Sequence, residues 1–171
     1  TENILNNFPQ IAEVKINRKF PDKLNLTITE RGAVANFCQD DKCFLLDKEG
    51  IIFENVSDKL DLIVTKPSLI ELKGPGDRVL ESNLMSSILD IGSKLKDDLK
   101  ITVSEVFVVS DDRLNIETVE NWEIYFNPKN DLSWQLTKLK AVLEKEIPPE
   151  KRKNLEYIDL RFGNLASYKY R

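Results

Sequence analysis

The residues of this chain whose types could do chemistry are its carboxylates, its serines and two cysteines. Asp40, Asp41, Asp47 and Glu49 cluster around two turn-like stretches. Oxygen ligands on loops suit calcium, but the alternating Asp/Asn ligands and distal glutamate of a calcium loop are missing. These residues therefore read as solvated turn positions, and so does Asp111-Asp112. No serine sits in a G-x-S-x-G elbow, and Ser133 and Lys138, a conceivable Ser–Lys pair, read as plain helix residues. The chain contains no histidine, which removes the commonest general base and metal ligand together. Gly74-Pro75-Gly76 lacks the G-K-[ST] that follows a phosphate-cradling loop. No catalytic, cofactor-binding or metal-binding residue is predicted. Cys38 and Cys43 cannot alone complete a four-thiolate zinc site. They flank four polar residues, so a hairpin would set them opposite each other at a separation that suits a disulfide. Two small buried thiols are the other reading.

The elements that must carry these residues follow from periodicity. Phe8-Pro9 ends a short opening helix, because proline disfavours helical geometry in the residue before it. Val14 and Ile16, then Leu24, Leu26 and Ile28, alternate with polar residues and predict two half-buried strands joined at Phe20-Pro21-Asp22-Lys23. Residues 33–37 and 44–47 predict the cysteine hairpin, and Lys48-Glu49-Gly50 a second turn before Ile51-Ile52-Phe53. Residues 62–64 and 69–72 are short strand candidates. A helix is predicted over 79–99, with Leu84, Ile88, Ile91 and Leu95 on one face. Strands follow over 103–109, 114–118 and 122–126. A second helix spans 132–145, with Leu132, Leu136, Leu139 and Leu143 inward and Asn130 or Asp131 as its cap. Strands over 155–162 and 165–170, joined at Gly163-Asn164, close the chain. Trp122, Phe126, Trp134 and Phe162 read as core aromatics. Hairpin-length connections dominate, which predicts an α+β fold with a mostly antiparallel sheet and helices on one face.

Composition bounds the partners. The 171 residues are 41% hydrophobic and 32% charged, enough to build a core. With 25 basic and 29 acidic side chains interspersed and a net charge of −4, no basic stripe points to nucleic acid. An apolar run such as Val106-Phe107-Val108-Val109 is far short of the ~20 residues of a membrane-spanning helix, so any anchor is expected upstream of Thr1.

The stretch Phe8-Pro9-Gln10-Ile11-Ala12-Glu13-Val14-Lys15-Ile16, continued by Arg18-Lys19-Phe20-Pro21-Asp22-Lys23-Leu24 and Glu30-Arg31, resembles the end of a POTRA domain. Leu46-Asp47-Lys48-Glu49-Gly50-Ile51-Ile52-Phe53 and, near the end, Tyr157-Ile158-Asp159-Leu160-Arg161-Phe162 are similar to motifs of the FtsQ/DivIB family of bacterial cell-division proteins, in that family's order. The resemblance implies two parts, the C-terminal part of a POTRA domain over 1–34 and a β domain over 35–171. It implies a single-pass protein of the cell membrane with this region outside the cytoplasm. It implies a non-enzymatic divisome scaffold without cofactors, whose partners are FtsB/DivIC-like and FtsL-like proteins. Partner binding by strand addition is expected at Arg161, Phe162, Gly163, Asn164, Leu165, Ala166, Ser167 and Tyr168, with the strand 165–168 as a free edge and Ser167 among its donors. Export implies that Cys38 and Cys43 are joined as a disulfide. A POTRA-type envelope chaperone module, binding extended segments of exported or outer-membrane proteins, is the alternative.

Overall fold

The computed structural model describes residues 2–56, 60–66, 72 and 74–171. The predicted strand over 69–72 lies, but for Leu72, outside the described residues. The order of elements is α1 (Glu2–Asn7), β1 (Ile11–Lys19), β2 (Lys23–Glu30), β3 (Ala33–Gln39), β4 (Lys42–Asp47), β5 (Ile52–Asn55), β6 (Ile63–Thr65), α2 (Ser82–Leu99), β7 (Val103–Ser110), β8 (Arg113–Thr118), β9 (Glu123–Phe126), α3 (Leu132–Lys145), α4 (Pro149–Arg152), β10 (Leu155–Asp159) and β11 (Ser167–Tyr170). Strands β1 and β2 form a separate antiparallel hairpin. The other nine make one sheet in the order β11-β10-β9-β8-β7-β6-β3-β4-β5. The fold is mixed α/β with a large, mostly antiparallel sheet.

Three neighbours in that sheet are parallel: β3 with β6, β6 with β7, and β9 with β10. Two of these pairs are joined through helices, β6–α2–β7 and β9–α3–α4–β10. Strands β6, β7, β9 and β10 all point the same way, and both crossovers step toward β11. Right-handed crossovers of that kind must place α2 and α3 on the same face. Accordingly Lys94 and Asp97 of α2 and Ser133 and Thr137 of α3 line one cleft. Under the helices, strand residues alternate strictly. Val106 and Val108, Leu114 and Ile116, and Ile124 and Phe126 are buried, while their neighbours face the helix-free side.

Helix α2 starts at Ser82, three residues later than its periodicity suggests. Val79 and Leu80 are buried, but their N–H groups donate to the Gly50 carbonyl at 2.9 and 3.3 Å, so they cover β5 and do not wind. Gly50 is required there. It has φ +78°, and a Cβ would lie 2.1 Å from the Leu80 carbonyl oxygen. In α3 the buried stripe is Gln135, Lys138, Leu139, Val142 and Leu143, with Leu132 and Leu136 only partly buried. The helix is turned from its apolar stripe because Gln135 holds the 126–127 corner. Its amide accepts from Asn127 N–H and donates to Asn127 C=O, both at 2.9 Å. Asp131 is the cap, accepting from Trp134 N–H at 3.1 Å. Strand β10 ends at Asp159 and β11 begins at Ser167, so the predicted strands over 155–162 and 165–170 are each shorter. The Cys38 and Cys43 sulfurs are bonded across the β3–β4 hairpin.

Asp47 is the clearest departure among the carboxylates. It is buried at 3% exposure. One oxygen accepts from the N–H groups of Glu49 and Ile51, both at 2.9 Å, and the other meets the Arg31 guanidinium at 2.5 Å. Arg31 also donates to the Pro9 carbonyl at 3.0 Å, and its N–H donates to Gln10 C=O. One side chain thus ties the β1–β2 hairpin, whose Leu24, Leu26 and Ile28 are exposed, to the β4–β5 turn. Removing one partner of a buried pair leaves the other charge uncompensated, at a cost of about 3–5 kcal/mol. Asp47→Ala should therefore lower the unfolding free energy measured in urea by that order. Arg31→Ala should speed tryptic release of the hairpin while the nine-stranded sheet stays protected.

Candidate partner-binding edge

Strand β11 is the outermost strand of the nine and, among the described residues, pairs only with β10. Arg171 N–H donates to Asn154 C=O on the β10 side at 2.9 Å. Backbone polar groups alternate in direction along a strand in an antiparallel ladder. Lys169 and Ser167 therefore also face β10, and Tyr168 and Tyr170 turn their N–H and C=O groups to the open side. Ser167 is thus not a free-edge donor, contrary to the expectation above. At the other end, β5 is shielded at its start. Ile52 N–H donates to Asp77 C=O, Gly76 N–H donates to Ile52 C=O, and Ile51 bridges Arg78.

The eight predicted contact residues fall on this edge and the turn before it. Only Ser167 and Tyr168 are in β11; residues 161–166 form the connection from β10. Phe162 at 69% and Leu165 at 84% exposure are open to solvent, and Trp134 on α3, at 46%, shares a groove with Leu165. Phe162 and Trp134 are thus not core aromatics. Phe162 lies past the end of β10, beyond the sheet's alternation, and Trp134 sits on the face of α3 that Gln135 and Lys138 turn outward. Trp134, Ala141, Val142, Leu165 and Ala166 line a groove of about 400 Å³ between α3 and the turn. Tyr168 is less available than its position suggests. Its ring packs partly on the core, lies edge-on to Tyr170 at 5.7 Å, and its hydroxyl donates to Glu146 at 2.9 Å.

The Asp159-Leu160-Arg161-Phe162 stretch has a clear local logic. Leu160 is buried and its N–H donates to Tyr125 C=O at 3.0 Å, extending the β10–β9 ladder. Asp159 and Arg161, two apart in extended chain, share the helix-free face. Arg161 donates to both Asp159 oxygens, from Nε at 3.0 Å and from a terminal nitrogen at 2.7 Å. Its guanidinium also lies 5.5 Å from the Tyr125 ring centre and 4.9 Å from that of Phe162. Tyr125 stacks on Tyr157 at 4.9 Å and carries Arg113 at 5.0 Å. Burial, then the neighbouring Glu123, pushes the Tyr125 phenol well up. Burial alone would raise the Asp159 carboxyl, but the side-chain and backbone bonds from Arg161 outweigh it and hold the group below its ordinary value. Arg161 is therefore engaged within the chain and not free as a contact.

Sequence reasoning missed Lys138, which is buried beneath this turn. Its ammonium donates to the carbonyls of Leu160, Phe162 and Gly163 at 2.6, 3.1 and 3.2 Å. The available signal was helical spacing: Lys138 is four residues before the buried Val142. Among the described residues, no group of three or more His, Cys, Asp or Glu is placed to hold a metal ion. None of their helices is long and apolar enough to cross a membrane.

Among the described residues, the site is an outer sheet strand flanked by exposed apolar side chains, with no cluster that could hold a metal. The comparisons supply the family. Residues 36–161 match the model for the C-terminal region of the cell division protein FtsQ/DivIB, and residues 1–31 match the FtsQ-type POTRA domain. The chain belongs to the FtsQ/DivIB family, membrane-associated, non-catalytic division proteins that act as scaffolds for other divisome proteins. No curated protein matches the sequence.

The Asp159–Arg161 pair gives a testable pH dependence. A carboxyl held low in the folded state adds stability that is complete above its ordinary value of 3.8 and is lost as pH falls through the lower folded value. Asp159→Asn should therefore melt below the parent chain at pH 6. That difference should close below pH ~3.8. A constant difference down to strong acid would show that the pair is not what the substitution removes.

Proposed function

We propose that this chain binds FtsB/DivIC-like and FtsL-like divisome proteins outside the cytoplasm by accepting a partner strand along β11, in support of septum formation. The observation that carries the reading is the open outer row of β11, the Tyr168 and Tyr170 backbone, next to exposed Phe162 and Leu165. Backbone pairing supplies affinity that depends little on side chains, and apolar anchors beside it select the partner. Arg161, Gly163, Asn164, Ala166 and Ser167 shape this surface or border it. The Cys38–Cys43 bond suits an oxidising, extracytoplasmic compartment. In the same reading a single membrane span anchors the protein. Residues 1–34 act as the POTRA part and residues 35–171 as the partner-binding β domain. The scaffold needs no cofactor and catalyses nothing.

Proline at Tyr168 tests the edge directly. The residue's N–H points outward, so proline removes a donor offered to the partner without breaking a bond to β10. Tyr168→Ala separates the loss of the ring and its bond to Glu146 from the loss of the backbone donor. In titration calorimetry against the extracytoplasmic segment of an FtsB/DivIC-like protein, Tyr168→Ala should bind within a few-fold of the parent. Tyr168→Pro should lose at least ~1.4 kcal/mol of binding free energy, tenfold in affinity, while melting close to Tyr168→Ala. Ser167→Pro should instead destabilise the chain, because it breaks the ladder to β10. Parent-like binding by Tyr168→Pro would place the site elsewhere.

A further inference from the structure

The turn between β10 and β11 has four consecutive carbonyls, those of residues 160–163, and each one is bonded by a side chain of the β9–α3 region. Leu160, Phe162 and Gly163 are taken by Lys138. The carbonyl of Arg161 accepts from Asn130 Nδ2 at 3.3 Å. An ammonium has three donors and no acceptor, so Lys138 is saturated by this turn alone. Among the described residues no carboxylate contacts it. Burial pulls its pKa down, and Asp159 opposes this only at a distance. A charge buried without a carboxylate partner is costly unless fully hydrogen-bonded, so the turn and the lysine need each other. Gly163, with φ +58°, supplies the reversal that lets Phe162 and Gly163 both present carbonyls to one ammonium.

The outside of the same turn is held by the Asp159–Arg161 pair. With both sides fixed, Phe162 and Leu165 project into solvent beside the open β11 edge. We propose that Lys138 is the positioning residue for partner binding: its ammonium templates the 160–163 turn and so keeps the apolar anchors in the arrangement a partner strand meets. The inference rests on the strand-addition reading above. It assigns Lys138 no contact with the partner. Its effect is on the fraction of molecules that are ready to bind.

Lys138→Met keeps the length and apolar stem and removes the three donors. In the free 171-residue chain, amide hydrogen exchange over 161–166 should accelerate about tenfold or more, while amides of β8 and β9 keep their protection. Against the extracytoplasmic segment of an FtsB/DivIC-like protein on a sensor surface, the association rate should fall about tenfold and the dissociation rate stay within about twofold, since only the competent fraction changes. Aminoethylation of a Lys138→Cys chain rebuilds a lysine isostere and should restore both rates; the native cysteines are bonded to each other. Should Lys138→Met fail to fold, Gly163→Ala loosens the turn from its backbone, with open space around the added carbon, and should lower the association rate in the same way. Parent-like exchange over 161–166, a binding loss confined to the dissociation rate, or no restoration by aminoethylation would overturn the role of Lys138. Parent-like binding by Tyr168→Pro, measured alongside, would overturn the strand reading instead.

Discussion

A nine-stranded open sheet has two outer rows of backbone groups, and each row must be paired, covered or left for another chain. At β5 the row is covered from within at Ile52. The 76–80 segment bonds to Ile52 and folds over Gly50, where no side chain could fit. At β11 nothing among the described residues lies beyond the strand. The two edges differ because of what flanks them. The 76–80 segment passes β5 before entering α2, whereas β11 follows the short 160–166 turn.

An open edge is useful only if the chain beside it is ordered. The turn before β11 is short, polar on its inside and apolar on its outside, and would otherwise sample many conformations. Charge fixes it from two directions. Arg161 is clamped by Asp159 and lies against Tyr125 on the helix-free face. Lys138 reaches through from the helix face to the inward carbonyls. The Asp159-Leu160-Arg161-Phe162 stretch combines these needs: a carboxylate and a guanidinium on one face, a leucine in the core between them, and an aromatic left outside.

How much of this was legible in the sequence depends on whether burial and polarity agreed. Where they did, periodicity was sufficient. Trp122, Ile124 and Phe126 share the buried face as alternation required, and α3 runs over the predicted residues. Where polar groups are buried, it failed. Asp47, Gln135 and Lys138 look like surface residues because hydropathy scores the side chain alone, while in the fold each is matched to backbone groups: Asp47 and Gln135 to those of nearby turns, Lys138 to carbonyls of the distant 160–163 turn. The exposure of Phe162 and Trp134 was missed for the converse reason. The open edge itself was legible as a final strand, but which residues face outward depends on the register with β10, and the Glu156 bulge is invisible to pattern reading.

The same reasoning explains how the two-stranded hairpin is held. A lone hairpin is marginal in water, and this one buries Val14 but leaves Ile16, Leu24, Leu26 and Ile28 exposed. Apolar packing against the large sheet therefore does not fix it. Arg31 does so instead, spanning Pro9 and Asp47 in one side chain, and Asp47 also organises the β4–β5 turn. Charge is better suited to this task than an apolar seam. A guanidinium and a carboxylate meet in only a few geometries, so the junction is directional although small. The hairpin can then keep a defined orientation to the sheet while its apolar face stays available for packing.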